Sequence, residues 1–284
     1  MKVVRTIAEL RDELAPSRES GASIGLVPTM GALHAGHVSL LAAARRECDC
    51  VVASVFVNPA QFGPDEDLAR YPRDEQRDER VAAEAGVHFL FAPAVEELYP
   101  RGYQTWVDVE RLSSKLEGEH RPGHFRGVAT ICLKLFNIVR PQRAYFGQKD
   151  AQQALVLRRM VEDLNLELEL RVLPTVRDAD GLALSSRNAY LSPADRRRAL
   201  SLPRALETRD PERARTILAD AGVETDYVDV LEDDGVRVLA GAIRVGSTRL
   251  IDNVDLGLHA AAAKPRPRGR KPGRIRRPSE GGSE

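Results

Sequence analysis

A short apolar run at residues 24–27, with no polar alternation, reads as a strand buried on both faces, and such a strand belongs inside a sheet covered by helices. Residues 38–45 follow with helical character. Between them lies the turn Met30-Gly31-Ala32-Leu33-His34-Ala35-Gly36-His37. It sits at the carboxyl end of the strand, where open α/β sheets bind ligands. A helix N-terminus also offers unpaired N–H groups and positive potential, which suit phosphate. Spacing by three places both imidazoles on one side of the first turn. The small residues Gly31, Ala32, Ala35 and Gly36 would let a nucleotide approach the backbone closely. The plainer alternative is that the two histidines cap a helix. A zinc site is disfavoured, because no third ligand stands nearby at metal-like spacing.

Further apolar runs at 51–57, 88–91, 144–146 and 168–173 alternate with helical stretches at 74–86, 127–139 and 151–164, which predicts a parallel sheet with helical crossovers. The pattern changes near Thr175. Ser192-Pro193 opens a helix as N-cap and first residue, a second helix is expected near 211–221, a strand at 226–231 and a hairpin at 242–253. These elements predict a smaller α+β domain. The expected division is 1–175, 176–260 and a disordered basic tail at 261–284, too rich in Pro, Gly, Arg and Ser to bury apolar area. The whole chain is formally neutral, but from Lys264 onward there are eight Lys/Arg against two acids, so the remainder carries a net charge of −6. An acidic body without a basic stripe argues against a nucleic-acid-binding protein. Three cysteines argue against a disulfide framework and fit a reducing cytosol. There is no signal peptide and no apolar run long enough to span a membrane, so the expectation is a cytoplasmic protein.

Other residues of chemical interest fall at predicted strand ends. Asn58 and Gln61 are amides that can both donate and accept, which suits a small hydroxy acid. Gly147-Gln148-Lys149-Asp150 precedes a helix carrying Gln153, and Lys149 can neutralise phosphate as a point charge. Asp178-Ala179-Asp180-Gly181 forms a turn leading to Leu184-Ser185-Ser186-Arg187, whose hydroxyls and guanidinium could clamp phosphate.

The HxGH turn resembles the signature of the nucleotidylyltransferase α/β superfamily. The combined blocks VPTMGALHAGH (27–37), FVNPAQF (56–62), YPR (71–73), GHFRGV (123–128), YFGQKDAQQ (145–153), SSRNAYL (185–191) and TRLIDN (248–253) resemble the pantoate–β-alanine ligase family from residue 1 to about 257. The resemblance implies a Rossmann-like parallel sheet with helices on both faces, a smaller α+β C-terminal lid and a homodimer. It implies ATP with Mg²⁺ and condensation of D-pantoate with β-alanine through a pantoyl-adenylate. Met30, Gly31, Ala32, Leu33, His34, Ala35, Gly36 and His37 would line the ATP site, with His37 as proton donor and His34, His37 and Lys149 as the catalytic set. Gly147, Gln148, Lys149, Asp150, Val176, Leu184, Ser185, Ser186 and Arg187 would also bind ATP. Gln61 and Gln153 would hold pantoate, Gln61 lying also near β-alanine, with Asn58, Tyr71 and Arg121 as lesser candidates. Gln148 and Leu184 stand where the family often has Glu and Met, and residues 207–211 look shortened. Nucleotide transfer onto the product, as in the cytidylyltransferases that share the HxGH, is the rival reaction.

Overall fold

The computed structural model describes residues 1–64 and 66–258. Six strands, β1 (Lys2–Val4), β2 (Ile24–Thr29), β3 (Cys50–Val55), β4 (Phe89–Phe91), β5 (Arg143–Gly147) and β6 (Glu169–Leu173), form a sheet in the order β1-β4-β3-β2-β5-β6. Every pairing in it is parallel. Helices α1 (Ile7–Glu19), α2 (Ala35–Glu47), α3 (Glu75–Glu84), α4 (Val95–Leu98), α5 (Glu117–His120), α6 (His124–Val139) and α7 (Ala151–Asp163) connect these strands. Leu10 and Leu14 of α1 pack with the apolar faces of α6 and α7 on one side of the sheet. Leu40 and Leu41 of α2 pack with Ala82 of α3 on the other. Helices on both faces explain why the central strands read as unalternating apolar runs.

Chain order reverses between β2 and β5, the neighbours at the centre of the sheet. The turns after these two strands therefore open onto one crevice, the usual ligand position in such sheets.

The remaining elements are α8 (Pro193–Ala199), α9 (Ser201–Leu206), α10 (Pro211–Asp220) and a three-stranded antiparallel sheet of β7 (Glu224–Asp233), β8 (Val236–Val245) and β9 (Thr248–Leu258). Leu202, Leu206, Ala214 and Leu218 of the helices close a separate core against Val228, Leu239 and Ile243. Ser192 caps α8 as the Ser-Pro signal predicts, its hydroxyl accepting from the Asp195 N–H at 3.1 Å. The hairpin expected at 242–253 is longer than the apolar pattern indicates, because β8 and β9 pair from Val236↔Leu258 to Val245↔Thr248. The basic tail expected at 261–284 lies outside the described residues. No helix among the described residues is long and apolar enough to cross a membrane.

Candidate active site

The turn after β2 is shaped by a carboxylate from α3. Gly31 (φ 82°) and Ala32 (φ 49°) both adopt left-handed backbone conformations. Asp78, 1% exposed, accepts from the Ala32 N–H at 2.8 Å and the Leu33 N–H at 2.7 Å. A Cβ on Gly31 would stand 2.8 Å from Asp78 Oδ2, so glycine is required there by the clamp as well as by φ. Gly31, Ala32, Leu33 and Ala35 are not among the residues that line the cleft, although their neighbours Met30, His34, Gly36 and His37 are. The Ala32 and Leu33 N–H groups are already given to Asp78.

His34 is the N-cap of α2 and His37 lies three residues on, forming a reciprocal capping box built from imidazoles. The Gly36 N–H donates to His34 Nδ1 at 3.2 Å, and the His34 N–H donates to His37 Nδ1 at 3.3 Å. Capping and cleft-lining thus coexist. Each Nδ1 accepts from a backbone donor, so each ring carries its proton on Nε2. Burial, and then the nearby Lys149 charge, lower His34 to about 4. Burial, His34 and Lys149 lower His37 to about 3. The pair therefore presents neutral Nε2–H donors at neutral pH, and His37 is suited to donating a hydrogen bond rather than to acting as an imidazolium acid.

Opposite this turn, Gly147 ends β5 and a single 3₁₀ turn, Gln148–Asp150, leads into α7. Lys149 Nζ lies 3.6 Å from Asp150 Oδ1. Gln148 does not line the cleft; its carbonyl is held from behind by Asn253 at 2.8 Å.

A third wall follows β3. Asn58 donates to Gln61 Oε1 and to the Gly127 carbonyl, each at 3.1 Å, and its oxygen accepts from Tyr99 Oη at 2.9 Å. At 1% exposure Asn58 is a support for Gln61, with little capacity left for a ligand. His124 also holds this turn, donating from Nδ1 to the Gln61 carbonyl at 2.8 Å while its Nε2 accepts from Arg121 at 3.1 Å. Gly127 lets α6 approach, since a Cβ there would meet the Ala60 carbonyl oxygen at 2.3 Å.

The cleft has a volume of about 900 Å³, within the range of small-molecule sites. Of the residues singled out from sequence, Met30, His34, Gly36, His37, Asn58, Gln61, Gly147, Lys149, Asp150, Gln153, Val176, Leu184, Ser185, Ser186 and Arg187 line it. Arg187 does not reach into it freely, because its guanidinium binds Asp67 in two-point fashion at 2.9 and 2.7 Å. Beyond the expected set, Glu117 joins the walls. It is 5% exposed and takes two bonds from Arg249 of β9 at 2.8 and 2.6 Å and one from Tyr227 at 2.9 Å. Burial alone would raise its pKa, but Arg249 and Arg121 outweigh burial and hold it at about 2. No local signal marks Asp78 or the Glu117–Arg249 pair, whose partners are far away in sequence, whereas His124 falls in the GHFRGV block.

The family model described as Pantoate-beta-alanine ligase matches residues 2–255. The chain belongs to this family. Within it, the pantothenate synthetase of Moorella thermoacetica is 56% identical over 279 residues, covering 90% of this chain and 99% of the relative. A crystal structure of pantothenate synthetase from Thermus thermophilus superposes with a TM-score of 0.84 at 47% identity, covering 90% of this chain and 99% of that one. A pantoate–β-alanine ligase from Francisella tularensis, described as complexed with beta-gamma ATP and β-alanine, superposes with a TM-score of 0.80 at 35% identity over 90% of this chain and 97% of that one. The family membership agrees with the two-sheet fold and with one cleft joining the HxGH turn, the Lys149 turn and Gln61.

Proposed function

We propose that this protein condenses D-pantoate with β-alanine at the expense of ATP, through a pantoyl-adenylate, releasing AMP and diphosphate. The observation that carries this reading is one cleft lined together by the neutral imidazole donors His34 and His37, by Lys149 and by the amides Gln61 and Gln153. A carboxylate is a poor acyl donor until its oxygen is made a good leaving group. In the first step a pantoate carboxylate oxygen attacks the α-phosphorus and diphosphate departs. Charge grows on phosphate oxygens, and the Nε2–H groups of His34 and His37 with the Lys149 ammonium stabilise it. Ser185 and Ser186 add hydroxyl donors on the wall that also carries Val176 and Leu184, with Arg187 held beside them by Asp67. Gln61 and Gln153 orient the hydroxy acid by donating and accepting. In the second step the neutral β-alanine amine attacks the acyl carbon, AMP leaves and the amine loses a proton. Here the walls mainly exclude water from the anhydride.

Mg²⁺ fits this site as a partner of the triphosphate. Of the cleft carboxylates among the described residues, Asp150 alone lacks an arginine partner and faces only Lys149 at 3.6 Å, so it is the carboxylate that would hold the ion beside phosphate oxygens and water. Bound there, the ion would offset phosphate charge. We place the division at residue 175, with His34, His37, Gln61, Lys149 and Gln153 before it and Val176, Leu184, Ser185, Ser186 and Arg187 after it. A cytoplasmic homodimer completes the proposal.

The test is AMP release from ATP with pantoate and β-alanine, each omitted in turn. AMP and pantothenate formed only with both substrates support the ligase. A nucleotide left on the product would replace it with nucleotidyl transfer, and no turnover would reject pantoate as substrate.

A further inference from the structure

Asn253 belongs to the smaller sheet, yet its side chain is committed to the larger one. It is 3% exposed, and its Nδ2 donates to the carbonyls of Gln148 at 2.8 Å and Lys149 at 2.9 Å. A trans peptide sets its N–H opposite its C=O. Two held carbonyls therefore fix both peptide planes and the base of the Lys149 side chain. The preceding residue, Asp252, binds Arg177 at 2.6 and 3.1 Å and also accepts from the Asn253 N–H at 2.8 Å. Arg177 pairs with Ala183 in the short antiparallel bridge flanked by Val176 and Leu184. Two adjacent residues of β9 thus grip both phosphate-side walls of the cleft.

A second observation points the same way. Asn253 Oδ1 is buried without a hydrogen-bond partner among the described residues. Asn253 also lines, with residues 149–153, a cavity of about 30 Å³. A buried amide that leaves its oxygen unpaired while keeping both carbonyl contacts is oriented by those contacts.

We propose that Asn253 is a positioning residue for adenylation, holding Lys149 at the phosphates from the smaller sheet. This rests on the reading of Lys149 as a phosphate-binding residue. Docking of the second sheet is then part of assembling the catalytic site, and Asn253 acts through Lys149 alone.

The experiment is a double-mutant cycle on the full chain, reading pantoate-dependent exchange of diphosphate into ATP. Asn253→Ala is expected to lower kcat by about 10- to 30-fold, the scale of two lost hydrogen bonds, with KM for pantoate within about twofold of wild type. In a Lys149→Ala background the same substitution is expected to cost less than about threefold more, because both changes remove one function. Multiplicative losses, or Asn253→Ala at wild-type turnover beside an impaired Lys149→Ala, overturn this inference alone. Lys149→Ala at wild-type turnover overturns the Lys149 reading, and this inference with it. Should Asn253→Ala fail to fold, Asn253→Asp keeps the shape but turns the donor into an acceptor facing two carbonyls. A folded Asn253→Asp with wild-type turnover, or failure of both variants to fold, overturns the positioning role.

Discussion

Replacing Gly127 by alanine tests whether the α6 contact places Gln61. The added Cβ would stand 2.3 Å from the Ala60 carbonyl oxygen, 2.5 Å from its carbon and 2.7 Å from the Gln61 nitrogen, all backbone atoms that cannot rotate aside. Ordinary contact begins at 3.4 Å, so the turn at Pro59–Gln61 must withdraw by about 1 Å. Such a shift stretches the 2.8 Å bond from His124 to the Gln61 carbonyl and the 3.1 Å bond from Asn58 to the Gly127 carbonyl. Overpacking of about 1–3 kcal/mol plus about 1 kcal/mol for weakened bonds gives roughly 2–4 kcal/mol of lost stability. The corresponding fall in Tm is roughly 5–15 °C. A misplacement of about 1 Å costs about 10²-fold in rate, so kcat/KM for pantoate should fall by that amount. ATP affinity should hold within about twofold, because His34, His37 and Lys149 stand on other elements. Diphosphate exchange measures the pantoate parameter, and calorimetry measures Tm. An Ala variant with pantoate kinetics and Tm like wild type, or one losing ATP and pantoate binding equally, would refute the reasoning.

His37→Ala and Lys149→Ala should each lower kcat by about 10²–10³ while the protein stays folded, the scale of one lost charge-stabilising donor; near-normal turnover in either removes that residue from the mechanism. Asp78→Asn keeps one acceptor for two backbone donors and should destabilise by about 1–3 kcal/mol, read by urea unfolding; an unchanged midpoint would dismiss the clamp. His34 and His37 sit at about 4 and about 3 when folded, below the ordinary 6.5. The unfolded chain takes up their protons first, so the stability they contribute is full above pH 6.5 and is lost as pH falls through about 4 and then 3. Tm measured against pH should decline through that window, and less steeply in His34→Asn/His37→Asn; parallel curves would contradict it.

The parallel sheet is legible from sequence because residues buried on both faces cannot alternate, and β2, β3 and β5 show this directly. The HxGH turn is legible because its composition has few other uses. α1 escapes notice, since Leu10 and Leu14 are its only buried residues and Pro16 interrupts the pattern. Glu117 and Arg249 are 132 residues apart, and neither differs locally from a solvated surface charge. Asp78 reads as a polar position in the charged helix α3 and is in fact buried against a backbone turn. What sequence shows least well is polar burial, because a hydrogen bond has no periodicity. The hydrogen bonds of Asn58 to Gln61, Gly127 and Tyr99 are likewise invisible in the sequence.

The charges of the cleft are largely paired before any ligand arrives. Glu66 holds Arg121, Asp67 holds Arg187, Glu117 holds Arg249 and Asp252 holds Arg177. A cradle of free guanidinium groups would bind triphosphate strongly and diphosphate nearly as strongly, which slows release without lowering the barrier. Neutral Nε2–H donors differ in kind. Their attraction depends on direction, and it strengthens where an oxygen gains charge in the line of the N–H. His34 and His37 are held by backbone donors at both Nδ1 atoms and kept unprotonated by burial. Burial does most to keep both rings neutral, and the charge of nearby Lys149 adds to it. If this cleft carries the proposed adenylation, its electrostatic stabilisation would rest on preorganised dipoles beside Lys149 more than on free guanidinium charge.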